Sequence, residues 1–205
     1  MPSRCDRSSQ GMPLEALDKF ASWFSEASAD ADIIDSSAVA LATSDAQGRP
    51  ACRMVLLKTY DSKGFVFYTN LKSRKGIDLG ENPSAALCFY WPSMARQVRI
   101  EGTVEPVTED EADEYFATRP RQSQIGAWAS RQSAPLPSST ALATRIAAIT
   151  ARHGAGTIPR PPFWSGFRLR PRRIEFWREG YFRLHHRECF EQQPEGAWQR
   201  QELFP

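Results

Sequence analysis

Residues Ser36–Thr69 read SSAVALATSDAQGRPACRMVLLKTYDSKGFVFYT, and this stretch decides the fold. Three short runs of small, β-branched and aromatic residues, Ser36–Thr43, Ala51–Thr59 and Phe65–Thr69, are separated by Asp45-Ala-Gln-Gly48 and Asp61-Ser-Lys-Gly64. Both separators are turn formers: Asp side chains bond to the backbone just ahead of them, and Gly takes φ values that other residues avoid. Turns this close leave no room for a crossover helix, so the spacing predicts an antiparallel meander.

The pattern continues outward. Ala85–Trp91 is almost continuously apolar, which predicts a strand buried on both faces. Gln97–Val104 alternates, with Val98, Ile100 and Val104 on one side and Gln97, Arg99, Glu101 and Thr103 on the other. Further strands are expected around Phe167–Leu169, Ile174–Trp177, Tyr181–Phe190 and Trp198–Leu203. Leu14, Leu17, Phe20 and Phe24 recur at helical spacing after Pro13. Thr108-Glu-Asp-Glu111 has the form of a capping box that opens a helix to about Thr118. Shorter helices are expected over Ser73–Leu79 and Gln122–Trp128, and another over Ser139–Arg152. There is no βαβ alternation and no repeat. A long meander exposes edge strands unless it closes, so a mainly β fold follows: a closed or split β-barrel with peripheral helices. Residues 1–12 read as a flexible lead and 13–205 as a single domain.

A net charge of +2 gives no global pull toward nucleic acid or membranes. No apolar run approaches the roughly 20 residues that span a bilayer, and the first residues lack the apolar core of a secretory signal, so a cytoplasmic location is expected. The four cysteines, Cys5, Cys52, Cys88 and Cys189, are scattered and read as free thiols. With only three histidines, two of them adjacent, no metal centre is expected.

Several groups of residues have the chemistry of anion sites. Arg53 and Lys58 stand near the two ends of an apolar run; five positions apart, they face opposite sides of a regular strand and could address two groups, or two sides of one ligand. Ser73-Arg-Lys75 places a hydroxyl and two cations at a helix start, which is either a phosphate seat or a solvated basic turn. Tyr115, Arg119 and Ser123 follow at helical spacing, although Pro120 intervenes. Near the end of the chain, Arg183, His185 and Arg187 alternate, so an extended backbone would turn all three to one face. The arginines between Arg160 and Arg173, with Phe163, Trp164 and Phe167, could be read as a nucleic-acid surface, but Glu175, Glu179, Glu188 and Glu191 cancel that field.

Taken together, Arg53-Met-Val-Leu-Leu-Lys58, Phe67-Tyr-Thr-Asn70, Ser73-Arg-Lys75, Arg96-Gln-Val98, Tyr115-Phe-x-x-Arg119-Pro, Ser123-Gln-Ile-Gly126, Gln132-Ser133 and Trp177…Arg183-Leu-His185-x-Arg187 resemble the pyridoxamine 5′-phosphate oxidase family, in order and at matching spacing. The resemblance implies an FMN-binding split β-barrel that forms a homodimer with FMN at the interface. It implies oxidation of pyridoxine or pyridoxamine 5′-phosphate to pyridoxal 5′-phosphate with O2 as acceptor. By motif position it implies FMN contacts from Arg53, Met54, Tyr68, Thr69, Arg74, Lys75, Gln97, Gln132, Ser133, Trp177 and Arg187. Lys58, Tyr115, Arg119 and Ser123 are implied to hold the substrate phosphate, with Arg183 and His185 covering the pyridine ring as catalytic residues. Two positions depart from the family pattern, Arg178 after the Trp and His186 between the arginines, and the second is expected to loosen Arg183 or Arg187. A related FMN oxidase acting on a phenazine precursor and a non-catalytic flavin-binding protein are the alternatives.

Overall fold

The computed structural model describes residues 11–205. Of the expected lead, residues 1–10 and with them Cys5 lie outside the described residues. Met12 already belongs to the packed body: it is buried, and its N–H donates to the Ser62 carbonyl at 2.8 Å.

Among the described residues nine strands form one antiparallel sheet: β1 (Ala38–Ser44), β2 (Pro50–Leu56), β3 (Thr59–Asp61), β4 (Gly64–Asn70), β5 (Ser84–Trp91), β6 (Arg96–Pro106), β7 (Trp164–Arg178), β8 (His186–Gln192) and β9 (Trp198–Glu202). The main path runs β2-β1-β5-β6-β7-β4-β3, with β8 paired to β7 and β9 to β8. Residues 57 and 58 tie the two ends of this path together. The Leu57 N–H donates to the Ser37 carbonyl and the Lys58 N–H to the Val66 carbonyl, both at 2.9 Å. A sheet whose ends are joined by adjacent residues has to curl, and the result is the split barrel with peripheral helices.

The inner face is a ladder of apolar pairs. Leu41, Leu87, Ile100, Ile174 and Phe190 lie in register across five strands, and all are buried. Helix α1 (Leu14–Ala29) covers this face. Its buried Phe20 meets Tyr60, Phe65 and Phe89 edge-on, with centroids 4.9, 4.9 and 5.3 Å away. The other helices are α2 (Arg74–Glu81), whose Leu79 joins this core, and α3 (Glu109–Thr118), α4 (Arg121–Ala129) and α5 (Ser139–His153). Phe116 of α3 and Ile125 of α4 make a second, smaller core with Trp164 and Ile158.

Three expectations change. β5 is not buried on both faces, since Tyr90 is 58% exposed and the strand alternates like its neighbours. The two strands expected at Phe167–Leu169 and Ile174–Trp177 are one long β7, paired with β6 across a register shift at Glu101/Gly102. A Cβ on Gly102 would come within 2.0 Å of the Arg170 carbonyl oxygen, so the close approach requires glycine. Finally, Tyr181–Phe190 is not extended throughout. Tyr181–Arg183 form a 3-10 turn with Phe182 and Arg183 at φ 56° and 63°, and β8 starts only at His186. The alternation that would place Arg183, His185 and Arg187 on one face is therefore broken at Arg183.

Candidate active site

A cavity of about 640 Å³ opens where the end of β2, β4, α2, α3, α4 and the start of β7 converge. The end of β2 lends it Met54, Val55 and Leu56, and Lys58 follows from the loop beyond. β4 contributes Tyr68 and Thr69, and α2 contributes Lys75. The α3–α4 corner adds Tyr115, Arg119 and Ser123, and Gln132 closes the rim beyond α4. Pro120 bends this corner: Arg119 is extended at ψ 144°, as a residue before proline must be, and α4 restarts at once. The break therefore delivers Arg119 and Ser123 to one cavity instead of separating them. Nine residues named from the sequence meet here: Met54, Lys58, Tyr68, Thr69, Lys75, Tyr115, Arg119, Ser123 and Gln132.

Arg119 is the most exposed to electrostatic cost. Its Nη1 is buried with no hydrogen-bond partner, and burial pushes the guanidinium below its ordinary range. Its neighbours are rings: its guanidinium carbon lies 4.7 Å from the Trp164 centroid and 5.5 Å from that of Phe116. Tyr68 stacks on Trp164 at 5.3 Å and on Tyr115 at 4.1 Å, forming an aromatic wall. The wall depends on Gly166, opposite Tyr68 in the ladder, where a Cβ would come within 2.7 Å of the Tyr68 ring.

Lys75 is the second costly charge. It is 8% exposed, its Nζ donates to Ser73 Oγ at 3.4 Å, and burial, reinforced by Arg53, holds its pKa below the usual lysine range. Ser73 caps α2 by accepting from the Gly76 N–H at 3.3 Å. Arg53 and Arg74 converge on the buried Asp78, at 3.6 and 3.3 Å, and Arg53 also donates to Thr43 Oγ1 at 2.6 Å. As expected, Arg53 and Lys58 point different ways: Lys58 into the cavity, Arg53 toward α2.

The remaining named residues are elsewhere in this chain. Gln97, Trp177 and Arg187 form a row across β6, β7 and β8. Arg187 is clamped by Glu175, at 2.9 Å through Nε and 3.1 Å through Nη2, and also donates to the Phe204 carbonyl at 2.9 Å. His186 pairs across the ladder with Arg178 and borders the same cavity as Arg187. The His185 ring lies 4.7 Å from that of Trp177 and borders a different cavity, while Arg183 lines a surface depression with Met94 and Tyr181. Ser133 sits on the exposed turn after α4 at φ 70°. A single chain thus assembles the phosphate-type cluster and leaves the C-terminal group apart.

Sequence reasoning missed the anchors: Asp78 and Glu175, which hold the arginines, and Trp164, which holds Arg119. Asp78 is four residues from Arg74, a helical pairing that could have been found. Nothing local marks the other two.

Residues 25–153 match the family described as pyridoxamine 5′-phosphate oxidase, and residues 164–205 match the pyridoxine 5′-phosphate oxidase C-terminal dimerisation region. The chain is 53% identical over 192 residues to a pyridoxine/pyridoxamine 5′-phosphate oxidase of Sinorhizobium fredii, covering 93% of each. A relative of the same description from Maricaulis maris is 56% identical over 187 residues, covering 91% of this chain and 84% of the relative. Among solved structures, PhzG from Burkholderia lata in complex with tetrahydrophenazine-1-carboxylic acid aligns with a TM-score of 0.86 at 30% identity, covering 100% of this chain and 98% of that one. A pyridoxamine 5′-phosphate oxidase-related, FMN binding protein from Nostoc punctiforme shares the fold at a TM-score of 0.72 and 15% identity, covering 92% and 96%. At the identity and coverage of the first two relatives, the chain belongs to the pyridoxamine 5′-phosphate oxidase family.

Proposed function

We propose that this chain is an FMN-dependent oxidase that converts pyridoxine 5′-phosphate and pyridoxamine 5′-phosphate to pyridoxal 5′-phosphate, with O2 as the acceptor. The observation that carries the reading is the orphaned, buried Nη1 of Arg119 in the same cavity as Lys58, Tyr115 and Ser123. A buried guanidinium donor without an acceptor is costly unless an anion arrives, and a phosphate monoester supplies both charge and oxygens. Lys58 adds a second cation, and Tyr115 and Ser123 add hydroxyl donors.

The residues present also fit a flavin phosphate. Arg53 and Arg74 share the carboxylate of Asp78, and Lys75 adds a third cation beside the capped N-terminus of α2. Met54, Tyr68, Thr69 and Gln132 would line the flavin's path, and Gln97, Ser133, Trp177 and Arg187 would complete it from a second copy of the chain. We place FMN at the interface of that homodimer, since the single chain keeps the two groups apart. When bound, FMN would supply the two-electron acceptor at the C4′ carbon and the route of those electrons to O2. The chain's own part is positional: Lys58 and Arg119 fix the phosphate end, and Arg183 and His185, delivered by the second copy, orient the ring. Cys52, Cys88 and Cys189 are free thiols, in keeping with a reducing compartment, and we place the enzyme in the cytoplasm.

The first test is the visible spectrum of the purified protein, together with pyridoxal 5′-phosphate formation in air. Arg119→Ala should raise KM for the phosphorylated substrate about 100-fold, the scale of a lost charged hydrogen-bonding group in a buried site, and leave flavin content intact. Equal loss of flavin and substrate binding would remove Arg119 from the substrate site. The likeness to PhzG supports a second reading, oxidation of a phenazine precursor. Turnover of that compound class with no response to Arg119→Ala would favour it.

A further inference from the structure

The arginines named for anion binding are held in two different ways. Arg53 and Arg74 rest on Asp78, and Arg187 is clamped by Glu175. Each carboxylate cancels its partners' charge, and those facing Arg74 and Arg187 also occupy N–H donors. Arg119 is oriented instead by the faces of Trp164 and Phe116. A ring face attracts a guanidinium through its quadrupole while leaving the in-plane N–H donors unused.

Trp164 is itself immobilised. It is 6% exposed, pairs with Asn70 in the ladder, stacks on Tyr68 with planes 5° apart, and meets Phe116 edge-on at 5.1 Å. Its backbone carbonyl accepts from Arg160 Nη1 at 2.8 Å. The indole is thus a fixed platform, and the guanidinium over it has one buried donor, Nη1, still free.

We propose that Trp164 is the positioning residue for Arg119 and sets the cavity's selectivity for a phosphorylated ligand, by aligning the guanidinium without neutralising it. This rests on the reading that Arg119 binds the substrate phosphate. A carboxylate in place of the indole would orient Arg119 equally well but consume the charge and donors that the ligand needs. The phosphate is then the counter-ion that completes the site, so phosphorylated substrates are favoured over their unphosphorylated forms by the alignment as well as by the charge.

The test uses the flavin-loaded full chain with Trp164→Leu and Trp164→Phe. KM and kcat are measured for pyridoxine 5′-phosphate, and Ki for inorganic phosphate as a competitor. Trp164→Leu should raise KM and the phosphate Ki together by about tenfold, the scale of one desolvated cation–π contact. It should leave kcat within about twofold, and Trp164→Phe should recover most of the loss. Unchanged KM and Ki in Trp164→Leu would overturn the proposal. So would a matching fall in kcat and flavin affinity, which is the mark of a packing role. Should Trp164→Leu not fold, Arg119→Lys decides: it keeps the charge but gives up the planar stack, and wild-type phosphate binding in that variant would overturn the proposal. Arg119→Ala separates the two levels. If it leaves KM unchanged, the substrate-site reading fails; if it raises KM while the Trp164 variants stay silent, only the positioning role fails.

Discussion

Glu175 and Asp78 show how much of an arginine cluster's geometry lies in the carboxylates that anchor it. Glu175 is 2% exposed and faces Arg99 at 3.3 Å, Arg173 at 3.5 Å and Arg187 at 2.9 Å. Replacing it with glutamine leaves three guanidiniums around a neutral amide. Breaking a fully buried pair costs about 3–5 kcal/mol. Here the arginine side chains keep 38%, 29% and 25% of their exposure, so solvent takes up part of that loss. Glu175→Gln should therefore cost about 2 kcal/mol and lower Tm by about 4–8 °C. If Arg187 contacts FMN as proposed, flavin binding should also weaken, because Arg187 loses its two-point clamp. Thermal melts with and without added FMN measure both effects, and an unchanged Tm would mean that the charge cluster contributes no net stability. The arginines themselves were legible in the sequence, since cations on an apolar strand or at a helix start are conspicuous. Their anchors were not, because Glu175 meets Arg99 and Arg187 only after three strands are laid in register.

At the scale of elements, turn chemistry and periodicity carried most of the fold. The capping box opening α3 is one such case. Thr108 Oγ1 accepts from the Glu111 N–H at 3.1 Å, and the Glu111 carboxylate accepts from the Thr108 N–H at 3.0 Å. That backbone bond, helped by Arg168, holds the Glu111 carboxyl below the usual carboxylate range. A carboxyl with a lowered folded-state pKa adds stability above its unfolded value of about 4.3, and that stability is lost as pH falls through the folded value. Thr108→Ala should cost about 1 kcal/mol at neutral pH. The gap in Tm between wild type and Glu111→Gln should close as pH falls below about 4. A gap that persists in acid would show that Glu111 acts through packing and not through its charge. Because Tyr115 and Arg119 sit at the far end of this helix, fraying at its start should also raise KM. Where the sequence misled was Tyr181–His185, whose alternation mimics a strand. Glycine at 180 permits a tighter path: a Cβ there would lie 1.9 Å from the Leu184 carbonyl oxygen, so the chain folds back on itself before β8.

At the scale of the whole molecule, the sheet has two faces with different tasks. The inner face, with Leu41, Leu87, Ile100, Ile174 and Phe190 in one row, is closed by α1. The outer face carries Tyr90, Gln97, Trp177 and Arg187 in another row, with Tyr90 58% exposed, and Met54 stands 61% exposed on β2. Exposed Tyr90 and Met54 make this a face that a second copy of the chain would cover, and if FMN binds as proposed, the same contact would complete its site. The match of residues 164–205 to a dimerisation region covers β7 to β9, which carry Trp177 and Arg187 of that row. If the cofactor is held between copies, assembly and flavin affinity are linked, and neither can be lost alone. Tyr90→Glu places a charge on the outer face at a position outside the lining of the 640 Å³ cavity. It should shift the dimer toward monomer in sedimentation equilibrium, and flavin fluorescence should report release of FMN over the same protein concentrations. Added FMN should in turn pull the variant back toward dimer. A monomer that retains flavin at wild-type affinity would place the whole cofactor site within one chain, and Gln97, Trp177 and Arg187 would then have to be explained as interface residues alone.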